Sequence, residues 1–252
     1  MKVQDYKDIK ITNNDISKVV SNNGVLWSWI DDTSGSPGPK RLIGGNLQAG
    51  FYGEVPANEF ITGDELAKQI GLYGGTRRFS NEPWLKFSYL GKTEFIAKKP
   101  FALPIAWNDI NAANAVFGNK TIKIGDHTYK VRLPKGKSEG KQDDSSSVSG
   151  SILHNSEWNR LMLPIHINAP DKWTYPDNVK SPTEKWGAGY TNNDLFIQSG
   201  TKGKYYSWCQ EYSNNIYFRL TRGYFDVSYA SGMPPDTGRD DHGWRPVLEL
   251  VD

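Results

Sequence analysis

Few residues in this chain could make or break bonds: four histidines, one cysteine and some adjacent carboxylates among 252 residues. His127, His154, His166 and His242 share no His-x-x-x-His or His-Glu-x-x-His spacing, so zinc ligation from one helix face has no support. His127 falls in a turn between apolar runs and His154 follows a polar stretch; both read as solvent-exposed. His166 has apolar neighbours and reads as a core or shell residue. Cys209 lies between Trp208 and Gln210 in an alternating run and reads as a small buried hydrophobe rather than a nucleophile. No Gly-x-Ser-x-Gly, P-loop or Gly-x-Gly-x-x-Gly occurs. Asp143-Asp144 sits in a polar run and reads as loop solvation. Glycosidase acids are defined by their separation in space, which a sequence does not give. No catalytic residue, metal or cofactor is assigned.

The segment 224–242 (YFDVSYASGMPPDTGRDDH) carries a different chemistry. It combines Tyr224, Phe225, Asp226, Tyr229, Met233, Asp236, Arg239, Asp240, Asp241 and His242. Such a mixture is poor core material and good contact material. Tyrosine supplies rigid amphipathic area, and Arg and Asp supply directional hydrogen bonds. These ten residues are the expected ligand-binding set. Asp236, Asp240 and Asp241 are oxygen ligands of the kind calcium takes, but their spacing matches no calcium loop.

Local patterns outline the elements that would hold this segment. Thr62-Gly63-Asp64-Glu65 is a capping box; Leu66, Ala67 and Ile70 share the following helix face, and Gly71 ends it. Trp107, Ile110, Ala113 and Phe117 predict a helix over 107–117 that stops at Gly118. Residues 84–89 and 93–97 form one expected hairpin; Ile122, Ile124, Tyr129, Val131 and Leu133 mark a second. A short helix is expected from Ser156 to Met162, stopped by Pro164. Tyr206 and Trp208, then Ile216, Phe218 and Leu220, read as strands around a turn at Asn214-Asn215. Val247, Leu248 and Leu250 read as a final strand. The stretch 135–151 is polar and of low complexity and predicts a mobile surface excursion; 165–204 reads as loop-rich. At the start, Ile9-Lys10-Ile11, Val19-Val20 and Val25-Leu26-Trp27 alternate with Asn-rich breaks and suit small hairpins. Residues 31–40 (DDTSGSPGPK) read as a linker. The expected division is 1–40, a small β-rich attachment module with its linker, and 41–252, the main domain.

Composition limits the function classes. Nine Trp, 13 Tyr and 10 Phe supply enough buriable area for a core. No apolar run is long enough to span a bilayer. Thirty basic and 28 acidic residues leave a net charge of +2, too little for a general field toward nucleic acid or lipid. A single cysteine excludes an intramolecular disulfide. The N-terminal residues have no apolar signal-peptide region.

Several motifs stand in a recognisable order. Pro104-Ile105-Ala106-Trp107-Asn108-Asp109 precedes Phe117-Gly118; then come Arg132-Leu133-Pro134, Ser156-Glu157-Trp158, Arg219-Leu220-Thr221-Arg222-Gly223 and Gly243-Trp244-Arg245. In this order, over about 84–252, the chain resembles the C-type-lectin-like fold in its formylglycine-generating-enzyme (sulfatase-modifying factor) form. The resemblance implies an α+β domain with short helices, hairpins and long loops. It also implies that Arg219, Arg222, Arg245, Trp158 and Trp244 are structural. The enzymes of that family use cysteine pairs. Here Cys209 stands alone and outside the C-terminal loop, and 135–155 separates two motifs that are nearly adjacent in the enzymes. Formylglycine chemistry is not expected.

The same fold form carries the variable ligand-binding proteins of diversity-generating retroelements, including phage receptor-binding proteins. Ala49-Gly50-Phe51-Tyr52-Gly53-Glu54, Trp158-Asn159-Arg160-Leu161-Met162, Trp208-Cys209-Gln210-Glu211 and Gly243-Trp244-Arg245-Pro246-Val247-Leu248-Glu249-Leu250 are similar to runs in phage and prophage tail proteins. The resemblance implies a non-enzymatic virion protein, at tail tip, baseplate or surface, present in several copies. It would bind a host-surface glycan or protein through 224–242 and other virion proteins through its N-terminal module, with no nucleic acid and no membrane insertion. Two rival readings are a decoration or connector protein and a cell-envelope polysaccharide hydrolase acting from the 165–204 region.

Overall fold

The computed structural model describes residues 18–21, 24–28, 32–137, 156–167, 185–196, 205–213 and 215–251. The Ile9-Lys10-Ile11 run, Asp143-Asp144, His154 and most of 165–204 lie outside the described residues. Strands β1 (Lys18–Ser21) and β2 (Gly24–Ser28) pair as an antiparallel hairpin. Then come β3 (Gly44–Asn46), β4 (Ala49–Val55), α1 (Gly63–Ile70), β5 (Thr76–Arg77), β6 (Trp84–Tyr89), β7 (Lys92–Ala97), β8 (Ala102–Leu103), α2 (Trp107–Ala112), β9 (Phe117–Ile124) and β10 (His127–Arg132). The remainder comprises α3 (Glu157–Ile165), α4 (Asn192–Leu195), β11 (Tyr206–Tyr212), β12 (Arg219–Gly223), β13 (Ala230–Met233), β14 (His242–Gly243) and β15 (Val247–Leu250). The architecture is mixed α+β, rich in sheet, with few and short helices.

Seven strands form the main sheet in the order β3-β4-β6-β7-β15-β10-β9. The last strand of the chain is thus inserted between β7 and β10, antiparallel to both. A second sheet has the order β13-β12-β11-β14, with β14 parallel to β11. The inner strands β6 and β7 of the main sheet are buried on both faces, and the alternation along β6 shows how. Trp84 enters the core shared with α1 and α2, while Leu85, Phe87 and Tyr89 enter the one shared with α3.

Local chemistry accounts for the agreements and the departures. Helix α1 has its complete capping box, with Thr62 Oγ1 accepting from Glu65 N, and ends at Gly71 in the left-handed region. Helix α2 is shorter than its periodicity predicts. Asn114 turns left-handed at φ 57°, so the helix stops at Ala112. Phe117 then opens β9 and is 51% exposed rather than part of a core face. Gly118 (φ 81°) lies where β9 and β10 shift register, a bulge rather than a helix stop. Helix α3 starts at its Ser156 cap as expected but runs on to Ile165, with Pro164 in the last turn, where Trp186 N donates to the proline carbonyl at 3.0 Å. Ile216 and Phe218 are not strand residues. Asn215 Oδ1 and O accept from Tyr217 N and Phe218 N, a side-chain-braced turn that delays β12 to Arg219.

Two buried ionic knots tie the elements together. Lys86 of β6 has no exposed surface, and its Nζ lies 2.6 Å from Asp32 Oδ2. Asp32 also accepts from Ser34 N and Ser36 Oγ. Burial alone would raise this carboxyl, but the Lys86 ammonium and the serine donors outweigh it and hold it far below the usual range. The stretch expected to be a linker is therefore clamped, from 32 onward, to the main sheet. The second knot centres on Arg132 of β10. Its guanidinium reaches Glu94 of β7 at 2.6 Å, Glu157 of α3 at 2.8 Å and Glu249 of β15 at 3.1 Å. This joins the Arg-Leu-Pro and Ser-Glu-Trp motifs directly, whatever lies between them in the chain. Lys135 N also donates to Glu157 Oε1, and Trp158 N to Lys135 O.

Lys92 Nζ also lies 2.5 Å from Glu249 Oε1, but it and the Arg132 guanidinium leave one of the three carboxylates unmatched, and Glu94 carries the difference. Burial, opposed by Arg132 and reinforced by Glu157 and Glu249, pushes its carboxyl up to about 8. The folded chain thus keeps a proton that the unfolded chain releases near its ordinary value of 4.5. This contribution to stability is complete below that value and is lost as the pH rises through about 8. Thermal melts should show Glu94→Gln matching the wild type at pH 5 and exceeding it at pH 9, by on the order of 3 °C. A constant difference across that range would refute the assignment.

Candidate functional site

The site grows out of the second sheet. Tyr206 and Trp208 share one face of β11 by strand alternation, before the register shifts between Trp208 and Tyr212. The parallel pairing of β14 sets His242 beside Tyr206. The result is a column of rings. Trp208 and His242 are 4.9 Å apart, His242 and Tyr206 4.8 Å, and Tyr206 and Tyr224 4.5 Å with planes only 9° apart. Phe225 meets Tyr224 edge-on at 4.7 Å, and Tyr229 meets Phe225 edge-on at 4.8 Å. The column begins at Trp208, which is fully buried, and ends at Phe225, which is 50% exposed.

A strained turn delivers its outer rings. Gly223 has φ 88°, and a Cβ there would lie 2.6 Å from Phe196 Cδ1, so glycine is required. Tyr224 follows with φ 89°, unusual for a residue with a side chain and costing about 1–3 kcal/mol. Stacking on Tyr206 is the visible compensation. Asp226 Oδ1 accepts from Ser228 N at 2.7 Å, Tyr229 N at 3.0 Å and Ser228 Oγ, which closes the loop on itself.

Beneath the loop lies a fully buried frame. Trp158 of α3 donates from Nε1 to Val227 O at 2.7 Å. The guanidiniums of Arg222 and Arg245 each lie 5.5 Å from the Trp158 ring. Arg222 donates to Asn159 Oδ1 at 2.6 Å, Gly136 O at 3.0 Å, Ser228 O at 3.1 Å and Tyr229 O at 3.3 Å. Arg245 donates to Ser207 Oγ at 2.8 Å, Lys98 O at 2.7 Å and Ala97 O at 3.1 Å, and also to Leu195 O. Trp244, in the main core, bonds through its backbone N to Ala102 O. These four residues are structural, as their motifs suggested. Arg219 stands outside this frame, stacked between Trp107 and Tyr212.

The ten residues expected to bind ligand divide into groups. Tyr224, Phe225 and Tyr229 form one ledge, with Phe225 exposed and the two tyrosines half-buried. Asp226 adjoins it, but its carboxylate is the brace of the loop. Asp236, Arg239 and Asp240 are exposed on the following loop, which is tied to α2 by Asn108 N to Pro235 O and to β11 by Tyr206 N to Asp241 O. Asp241 Oδ1 lies 2.7 Å from His242 Nδ1. Two expectations need correction. His242 has no exposed surface and is a rung inside the column; burial holds its imidazole below the usual range despite Asp241. Met233 packs against the main core, opposite Arg219 across β12, away from the ledge. The sequence reading missed Tyr206 as part of the site; its period-two spacing from Trp208 was the available signal.

Other chemistry has little footing among the described residues. No group of three His, Cys, Asp or Glu is placed to hold a metal. Cys209 is fully buried, and burial pushes its thiol well up. A groove of about 510 Å³ is lined by Asp64, Arg77–Phe79 and Ser80–Pro83, but its Asp64, Arg77 and Glu82 are engaged by Ser80, the Leu72 and Gly74 carbonyls and Lys99. Comparison with protein-family models, curated proteins and solved structures finds no match.

Two outcomes test this arrangement. Arg222→Lys keeps the charge and loses the fork, and should cost about 3 kcal/mol in denaturant unfolding with loss of near-ultraviolet circular dichroism from the ring column. Cys209 should resist a thiol-specific disulfide reagent in the native protein and react fully on unfolding; rapid native reaction would contradict its inert placement.

Proposed function

We propose that this chain is a virion-surface recognition protein, built on a C-type-lectin-like frame, that binds a host-surface glycan or protein through the ledge at 224–229 and the adjoining 236–241 loop. The observation that carries the reading is the ring column: half-buried and exposed aromatics held by continuous ring contacts down to a buried tryptophan. Rigid aromatic area loses little entropy on binding, which is why such side chains dominate contact hot spots. The strained Tyr224 backbone supports it, because strain of this kind persists where a side chain must be held in one place. The order of the motifs supports the frame, since Arg132 with Glu157, and Trp158 with Arg222 and Arg245, join residues far apart in the chain. A single ledge of this size binds weakly, and several copies on one particle supply avidity. The N-terminal module attaches the protein to its virion neighbours.

Phe225→Ala and Tyr229→Ala should each weaken binding of the labelled protein to host bacteria about tenfold or more, with the melting temperature within a degree or two of wild type for Phe225→Ala. Virions carrying both changes should adsorb correspondingly less. Normal adsorption would sink the reading. Protection of the ledge from surface labelling in intact virions would instead favour the connector role.

A further inference from the structure

A second aromatic surface lies at another part of the small sheet, and it is built around Arg219. The Arg219 guanidinium carbon lies 3.6 Å from the Tyr212 ring centroid and 3.7 Å from that of Trp107. Two rings do not fit at that distance on one side of a planar group, so they cover its opposite faces. Trp107 is itself fixed, with Nε1 donating to Cys209 O at 2.9 Å and its ring edge-on to Phe117 at 6.0 Å. Tyr212 and Arg219 are cross-strand partners in β11 and β12. The guanidinium is thus immobilised in its plane before any ligand arrives.

No hydrogen bond or ion pair in the described residues satisfies that guanidinium. Among the described residues its Nε is buried without a partner. The contrast with Arg132, Arg222 and Arg245 is sharp, since each of those spends its donors on several acceptors. An arginine stacked on both faces keeps its in-plane donors for an acceptor of matching shape, and a carboxylate is the best match. Exposed apolar side chains adjoin it, Phe117 against Trp107 and Ile216 and Tyr217 in the turn that leads into β12. Phe117 is 51% exposed, Tyr212 46%, Ile216 64% and Tyr217 74%. Arg, Tyr, Trp and Phe with one exposed isoleucine match the composition of a protein contact core, whereas a sugar site would surround the cation with further hydrogen-bonding groups.

The geometry points to Arg219 as the anchor of a protein-docking surface that receives an aspartate or glutamate side chain, flanked by an apolar residue, from a partner polypeptide. This site is separate from the 224–229 ledge and does not depend on the reading given to it. Docking here covers Phe117, Ile216 and Tyr217 and gives Arg219 the acceptor it lacks.

The test follows the Arg219 Nε–H resonance and the Trp107 indole resonance of the isotope-labelled full chain. The probes are N-acetyl-leucyl-glutamate amide, its glutamine counterpart and glucuronic acid. The glutamate peptide should give a saturable shift at both resonances. The glutamine peptide, and the glutamate peptide on Arg219→Lys, should bind at least about tenfold more weakly. Phe225→Ala should bind the peptide as the wild type does. Absence of a saturable shift, or equal binding of the two peptides, would overturn the proposal; glucuronic acid binding as tightly as the peptide would make this an acidic-sugar site and overturn the protein partner. If Arg219→Lys does not fold, Tyr212→Leu removes one stacking face and must weaken peptide binding about fivefold.

Discussion

The structure depends on one buried arrangement: the indole of Trp158 flanked by the guanidiniums of Arg222 and Arg245. A buried guanidinium is tolerable only when its donors all find acceptors and its faces find polarisable surface. Both conditions are met here by groups from distant parts of the chain. Arg245 takes its acceptors from β7, β11 and α4, and Arg222 takes its own from Gly136, α3 and the 228–229 backbone. The frame therefore forms only when both sheets and α3 are in place, and it fixes the underside of the 224–229 loop as it forms.

The same logic joins the two flanks of the long polar stretch that begins at 135. Arg132 and Glu157 flank it in sequence and touch in space, and Lys135 and Trp158 bond through their backbones. The described residues on either side of 138–155 are thus held together, and loop-closure entropy grows only slowly with the length of chain between them. The cost lies elsewhere, in crowding three carboxylates around one arginine, and a proton kept on Glu94 relieves it.

The two aromatic surfaces differ in what holds them. The ledge is stacked ring on ring down to the core and braced by backbone hydrogen bonds, so its outer residues are presented without freedom to collapse. The Arg219 surface is a cation held between two rings with its edge unsatisfied. One offers stacking area, the other a directional charge.

Much of the scaffold was legible in the sequence. The capping box at Thr62, the 84–97 hairpin and the final strand are local or period-two signals, and they survive folding because neighbouring residues alone decide them. The early stop of α2 at Asn114 and the turn at 215–218 were misread, because a left-handed asparagine and a side-chain-braced turn interrupt patterns that hydrophobic periodicity continues through. The exposure of parts of 224–242 was legible as composition, but its division was not. Whether His242 faces solvent or fills a column depends on β14 pairing parallel with β11, and whether Arg219 is structural or free depends on where Trp107 and Tyr212 come to rest. The sequence by itself determined which residues can stack, pair and cap. Only the tertiary structure decided which of them are buried together, because burial and ion pairing arise from contacts between segments that lie a hundred residues apart.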